Sequence, residues 1–333
     1  MSEQDPAFSL PRRVAMLGVA LAAITTQVSA ADSAYWTARY TAKKGDVSLA
    51  VYRKRLNAPS AGGPKLPVLF LVHGSSISAL SSFDLSVPGA GEYSLMNVFA
   101  KFGFDVWTMD HEGYGKSLIT SGNSNIASGV EDLRAAMPIV ERETGQKAFF
   151  FMGESSGAIR AAAFTVAEPA RVDRVILEAF TYTGKGSPTL TKRGEQTEFY
   201  RTHNRRPRGR EMIASIFTRD KPGTSDPRVA EAMADMEMPH GDSVPTGTYL
   251  DMTANLPLID PAHFTRPVMI VRGEYDGVAT DEDLLDFFAK LPVQDKQYII
   301  IPGAAHSVTL SYARARLWHV MQEFLTMPPL GKS

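Results

Sequence analysis

Cysteine is absent from the chain, which removes disulfides, thiolate metal sites and a cysteine nucleophile. An excess of one charge is absent too. The 35 Lys and Arg nearly balance 36 Asp and Glu, for a formal charge of −1, so there is no electrostatic reason to expect nucleic acid or anionic lipid as a partner. The H-E-x-x-H zinc pattern does not occur, and no metal or cofactor is expected. A phosphate-binding loop is missing as well. Gly115-Lys116-Ser117 looks like the end of one, but Asp110 stands where the motif needs its first glycine. Internal repeats and low-complexity tracts are lacking.

Long apolar runs are confined to the N-terminus. Arg12 and Arg13 precede the uncharged stretch Val14 to Ile24, and Val28-Ser29-Ala30 then forms a small-x-small cleavage pattern. Residues 1–30 therefore read as a secretory signal peptide, with a mature chain starting at Ala31. The stretch is too short to span a bilayer comfortably. The expectation is a periplasmic or secreted protein with no membrane partner after cleavage. The arginine pair hints at twin-arginine export, although Val14, Ala15 and Met16 fit that signal poorly.

The remaining chain is long enough for one α/β core with an insertion. Tyr35 to Leu56 alternates around Lys44-Gly45-Asp46, as an edge hairpin does. Buried-strand runs follow at Val68 to Val72, Phe104 to Met109, Phe149 to Met152, Val172 to Leu177, Pro267 to Val271 and Tyr298 to Ile301. Between them the pattern predicts helices over Ser94 to Phe102, Ser128 to Glu143 (capped by Ser128, stopped by Gly145), Thr280 to Leu291 and Val308 to Leu325. Thr280 and Asp283 have the spacing of a capping box. Strands alternating with such helices imply βαβ units and a mostly parallel sheet covered on both faces.

One gap interrupts the alternation, roughly Phe180 to His263. It is polar, helix-prone and broken by six prolines from Pro188 to Pro245. Lys192 to Arg210 carries seven basic and two acidic residues, and Asp220 to Asp260 eight acidic and two basic. A helical cap over residues 180–263, inserted in a core of residues 31–179 and 264–333, fits this pattern. The charge split reads first as two solvated faces that pair, and second as substrate steering by Arg205, Arg206 and Arg208. Met233, Met236 and Met238 read as cap packing.

The chain is organised around Phe149 to Ala163. A four-residue apolar run enters Gly153-Glu154-Ser155-Ser156-Gly157, and an alanine-rich helix leaves it. In G-x-S-x-G the serine occupies a strained strand-to-helix turn, and the glycines let strand and helix pass without a clash. The hydroxyl then projects from the carboxyl edge of the sheet, above a helix amino end that favours negative charge. A serine hydroxyl is a weak nucleophile and needs a base, which needs an orienting acid. Of seven histidines, His306 follows the last strand on the same edge and is the best base. His203, His240 and His263 fall in the cap, His319 in a helix, and His73 precedes the serine. Two acids compete for the third place, Asp276 and Glu178, each beyond a strand next to the serine strand. The backbone N–H groups of Ser75, in His73-Gly74-Ser75-Ser76, and of Ser156 can form an oxyanion hole.

Together H-G-S-S at His73, D-H-E-G-Y-G-K-S at Asp110, G-E-S-S-G at Gly153, R-G-E-Y-D at Arg272 and G-A-A-H at Gly303 resemble the α/β-hydrolase superfamily, over about Tyr35 to Leu325. The order Ser, Asp, His is that family's order. The resemblance implies an eight-stranded, mostly parallel sheet with a cap after strand six. By position it makes Ser155 the nucleophile, His306 the base, Asp276 the acid, and Ser75 and Ser156 the oxyanion donors. Some relatives, including haloalkane dehalogenases, place an acid where Glu178 stands, but those dehalogenases use an aspartate nucleophile. The H-G-G-G form of many lipases is absent. The expected activity is serine-dependent hydrolysis of a small carboxylic ester, with a lactone or activated amide open to the same machinery. The alternatives are a non-catalytic binder on this fold, and a C–C hydrolase or lyase using the same triad.

Overall fold

The computed structural model describes residues 35–330; the expected signal peptide, residues 1–30, lies outside them. Hairpin strands β1 (Tyr35–Lys44) and β2 (Val47–Leu56) meet at Gly45, where the expected turn falls. Strand β3 (Val68–Val72) leads through a short helix α1 (Ala79–Phe83) to α2 (Leu95–Lys101), capped by the Ser94 side chain. Strand β4 (Asp105–Met109), helix α3 (Ile126–Thr144), strand β5 (Phe149–Glu154), helix α4 (Ser156–Ala167) and strand β6 (Val172–Glu178) complete the first half.

The segment after β6 holds helices α5 (Pro188–Gly194) and α6 (Thr197–Thr202), strand β7 (Arg205–Pro207), helices α7 (Arg210–Ile216) and α8 (Pro227–Glu237), strand β8 (Ser243–Pro245) and helix α9 (Gly247–Leu250). β7 and β8 pair in a small antiparallel ribbon. The main sheet resumes with β9 (Val268–Gly273), helix α10 (Asp281–Lys290), strand β10 (Lys296–Ile301) and helix α11 (Arg314–Thr326).

The main sheet has eight strands in the order β1-β2-β4-β3-β5-β6-β9-β10. From β4 to β10 every neighbouring pair is parallel, and the β1–β2 hairpin adds to β4 antiparallel. Successive side chains of a strand face opposite sides, and the core divides accordingly. Phe70, Val72, Phe151, Leu177 and Ile270 pack under α3, α4 and α10. Leu69, Leu71, Met152, Ile176 and Met269 pack under α2 and α11. A third apolar cluster joins α7 and α8, including the buried Met233, to Ile77, Leu85 and Val87 of the loop after β3. Met233 is thus packing, as its sequence context suggests. Among the described residues no helix is long and apolar enough to cross a membrane.

Three local expectations need correction. Helix α3 is capped by Asn125, whose side chain accepts the Ser128 N–H at 2.8 Å. An acceptor three residues upstream takes the orphan N–H that Ser128 itself donates. At α10 the Thr280 cap forms, but Asp283 does not close the box. Its buried carboxylate accepts the backbone N–H groups of Tyr182, Thr183 and Gly184 at 2.8–3.1 Å. With the Thr183 hydroxyl and the Lys185 N–H, five donors from the chain leaving β6 outweigh one local N–H. Finally, Val308–Leu310 is a separate 3₁₀ turn, and α11 begins at Arg314. The turn is held by side chains of the strand ends beside it, described below.

Candidate active site

Ser155 follows β5 directly and has φ 58° and ψ −123°, a strained conformation for a residue with a side chain. The backbone crowds around it. A Cβ on Gly157 would lie 2.1 Å from the Val72 carbonyl oxygen, and one on Gly153 would lie 2.3 Å from the Gly157 oxygen. Both contacts are with backbone, which cannot move aside, so only glycine fits. The Ser155 N–H donates to the Glu178 carbonyl at 2.8 Å, which ties the turn to β6.

Gly273 performs the same service at the end of β9. A Cβ there would meet the Ala305 carbonyl oxygen at 2.2 Å, so its absence lets the loop after β10 lie against the loop after β9. That contact delivers His306 to Asp276. His306 Nδ1 lies 2.9 Å from Asp276 Oδ1, and His306 Nε2 lies 2.9 Å from Ser155 Oγ. Asp276 Oδ1 also accepts the N–H groups of Val278 at 2.8 Å and Ala279 at 3.1 Å. Burial pushes its carboxyl pKa upward, but the facing imidazole and the two N–H donors outweigh burial and hold it below the usual range. An ionised Asp276 fixes the proton on Nδ1. Nε2 is left to accept the Ser155 hydroxyl proton.

Glu178 does not reach His306. It is fully buried, its Oε1 accepts the Val308 N–H at 3.3 Å, and its Oε2 has no partner. Its neighbour across the sheet is Glu154, also buried, which accepts from Thr309 Oγ1 at 3.2 Å. Burial raises both carboxyl pKa values, and the charges of Glu154 and Asp276 raise that of Glu178 further. The 3₁₀ turn of Val308–Leu310 is where this pair finds its two donors.

The loop after β3 lies beside the serine turn, with Gly74 packed on the Glu154 carbonyl and the Ser155 side chain. Ser75 Oγ bonds to Ser156 Oγ at 2.8 Å and to Thr248 Oγ1 at 2.7 Å. Among the described residues neither the Ser75 nor the Ser156 backbone N–H meets an acceptor. Buried His73 sets the direction of the first. Its Nε2 accepts the His111 N–H at 3.0 Å, so Nδ1 carries the proton and donates to the Gly74 carbonyl at 2.8 Å. In a planar trans peptide the next N–H, that of Ser75, points the opposite way. Burial lowers the His73 pKa well below its ordinary value and keeps the ring neutral for this task. The D-H-E-G-Y-G-K-S stretch is structural: Asp110 accepts from Tyr52, Ala79 N–H and Lys116 N–H at 2.7–2.9 Å.

A cavity of about 610 Å³ adjoins these groups, bounded by Ser76 and Gly277 on the core side and by α5, α6 and α7 on the other. Asp220 lines it, with a carboxylate oxygen within 4.8 Å of Asp276 and His306 ligand atoms. Among the described residues these three are a grouping close enough to hold a metal. Both ring nitrogens of His306 are already engaged, however, so a metal would have to break the serine contact. The wall also carries Lys192, Arg193, Arg206 and Arg219. Of the three arginines expected to steer substrate, only Arg206 faces the cavity. Arg205 is bound to Ser243 and the Gly113 carbonyl, and buried Arg208 pairs with Glu237. Asp220, Arg193 and Thr248 are not singled out by the sequence, since nothing in a polar, helix-prone segment marks which of its residues face a cavity.

The fold and this edge geometry define an α/β-hydrolase. Residues 88–311 match the family described as serine aminopeptidase, S33, and the chain belongs to that family. No curated protein matches the chain. Among solved structures it is similar to the carboxylesterase CesB from Bacillus subtilis, at 16% identity and TM-score 0.63, covering 88% of this chain and 93% of that one. It is also similar to a thermophilic esterase from Thermogutta terrifontis, at 20% identity and TM-score 0.62, covering 86% and 98%. A third likeness is to the 2-hydroxy-6-oxo-6-phenylhexa-2,4-dienoate hydrolase from Rhodococcus sp. strain RHA1, at 18% identity and TM-score 0.63, covering 88% and 100%. At these identities the likeness is one of fold.

Proposed function

We propose that the protein is a serine hydrolase that cleaves a carboxylic ester through an acyl-enzyme. The observation that carries this reading is the unbroken chain Ser155 Oγ, His306 Nε2, His306 Nδ1, Asp276 Oδ1, with both links at 2.9 Å. Ser155 Oγ attacks the ester carbonyl carbon while Nε2 takes its proton, and Asp276 stabilises the imidazolium that forms. The carbonyl oxygen becomes an oxyanion facing the N–H groups of Ser75 and Ser156, at the amino end of α4. Collapse expels the alkoxide, which takes the proton back from Nε2. Water then repeats the cycle on the acyl-enzyme and releases the acid.

The same machinery can act on an amide, and the family description names an aminopeptidase. The cavity favours an ester. A free α-ammonium group requires an acidic anchor, and here four cations face the single carboxylate of Asp220, itself 3.4 Å from Arg219. Residues 180–263 act in this reading as a cap that sets substrate range. The N-terminal pattern supports an exported enzyme, periplasmic or secreted, and N-terminal sequencing from the native host should find Ala31 first. The direct test is labelling by a serine-directed organophosphate. It should modify Ser155, and Ser155→Ala should lower kcat by about 10⁴–10⁶ while the protein stays folded. Modification at another residue refutes the assignment.

A further inference from the structure

The cavity bounded by Ser76 and Gly277 holds cations that no carboxylate among the described residues neutralises. Arg193 and Arg206 are half-buried, and among the described residues neither has a carboxylate within ion-pair distance. Instead both guanidinium groups lie against the ring of Tyr249, at 5.3 Å and 4.7 Å from its centroid. Tyr249 is buried and its hydroxyl is bonded to Ser76 Oγ, in the loop that carries the Ser75 N–H. The ring is therefore a fixed platform, and the two arginines are set on it at a defined place relative to the reacting serine. Desolvation, with the nearby charge of Arg219, pushes the Arg193 pKa down to about 10. Holding like charges together out of water is costly unless an anion joins them. Lys192 adds a further positive charge to the wall, and Asp220 is occupied by Arg219.

Resting on the ester-hydrolase reading, we infer that the preferred substrate is an ester that carries a carboxylate, bound by Arg193 and Arg206 in the cavity that Ser76 and Gly277 border on the side of the triad loops. A guanidinium presents a planar fork that matches a carboxylate in two parallel hydrogen bonds. The volume, about 610 Å³, has room for an ester that carries such a group on its chain. The cavity wall supplies tyrosine faces for the carbon chain between the two groups. Arg205 and Arg208 are committed to protein partners, so the selectivity is expected to follow Arg193 and Arg206.

The test compares isosteric esters that differ only in charge. Monomethyl glutarate is set against methyl 5-methylhexanoate, and 4-acetoxybutanoate against 4-methylpentyl acetate, whose isopropyl ends match the carboxylate in shape; the carboxylate thus falls on the acyl and the alcohol side in turn. The wild-type protein should favour one of the two anions over its neutral partner in kcat/KM. In Arg206→Gln that ratio should fall about 10- to 100-fold, the worth of a charge-assisted hydrogen-bonded pair, and Arg206→Lys should recover part of it. A second readout needs no turnover: glutarate should slow organophosphate labelling of Ser155 in the wild type and much less in Arg206→Gln. Preference for both neutral esters, or a ratio and a protection that ignore Arg206, overturns the inference and leaves the hydrolase reading intact. Failure of Ser155 to be labelled at all brings down the hydrolase reading, and this inference with it.

Discussion

Strands β6 and β9 are neighbours, and each delivers a buried acid to the same edge of the sheet. The two acids have opposite fates. Asp276 is met by an imidazole and two backbone N–H groups, and its carboxyl is held below the ordinary range. Glu178 is met by one N–H at 3.3 Å and by a second acid, Glu154, and its carboxyl is held well above that range. Equal depth therefore does not fix the charge of a carboxyl group. The number and sign of its partners do. A charged acid can hold an imidazolium, whereas a protonated one cannot.

Removing the charge at Asp276 should have the largest effect. Asp276→Asn presents an amide to Nδ1 and permits the wrong tautomer, so kcat should fall about 10⁴-fold with little change in melting temperature. If Glu178→Gln caused that loss and Asp276→Asn did not, the two positions would exchange roles. Another buried acid, Glu237, sharpens the comparison, because it has a cation as its partner and lies outside the triad. It pairs with buried Arg208 and accepts from Ser78 N–H at 2.7 Å, Ser78 Oγ at 2.5 Å and Ser81 Oγ. Glu237→Ala leaves Arg208 buried without its anion and should cost about 3–5 kcal/mol of stability, read from denaturant unfolding.

The smallest effect concerns the protonated pair. Burial pushes the Glu154 carboxyl pKa up to about 7, and burial with the neighbouring charges of Glu154 and Asp276 moves that of Glu178 in the same direction. Above the ordinary carboxylate range the folded chain holds protons that the unfolded chain has lost. The stability this contributes is complete below that range and is lost as pH rises through about 7. Glu154→Gln or Glu178→Gln should flatten the fall in melting temperature between pH 5 and 8, with kcat changed only modestly. A wild-type protein that gains stability over that interval, with the glutamines making no difference, would contradict the assignment.

Much of this was legible in the sequence because the signals are local. The apolar runs mark β3 to β6, and G-x-S-x-G marks the turn by glycines whose need is steric and close at hand. The order of Ser155, Asp276 and His306 follows from strands that end on one edge. Strand ends alone leave Asp276 and Glu178 both open, and it is the family resemblance that favours Asp276; the loop contact at Gly273, which brings Asp276 to His306, is tertiary and leaves no mark in the sequence. The ribbon of β7 and β8 was missed because three-residue strands carry no usable alternation. Asp283 was read as a local cap because sequence spacing cannot register a chain arriving from a hundred residues away. The cavity arginines have the same status: the charge run containing Arg193 and Arg206 is visible, but which of its members face inward is decided by tertiary contacts.

Glu237 also has a mechanical side. It ends α8, and its carboxylate grips Ser78, two residues past Ser76 in the loop whose Ser75 N–H faces the developing charge in the proposed mechanism. Arg208 closes the joint by donating to the Ser76 carbonyl at 3.2 Å. Lid and anion hole are thus riveted into one stiff part on this flank. A tug on α8 is transmitted to the hole, and loosening it should slow every substrate alike, the smallest included. On the opposite flank α5 carries Lys192 and Arg193 along the cavity wall, and among the described residues α5 and α6 make no hydrogen bond to that loop; changes there should alter which substrate is taken more than how fast the smallest one reacts.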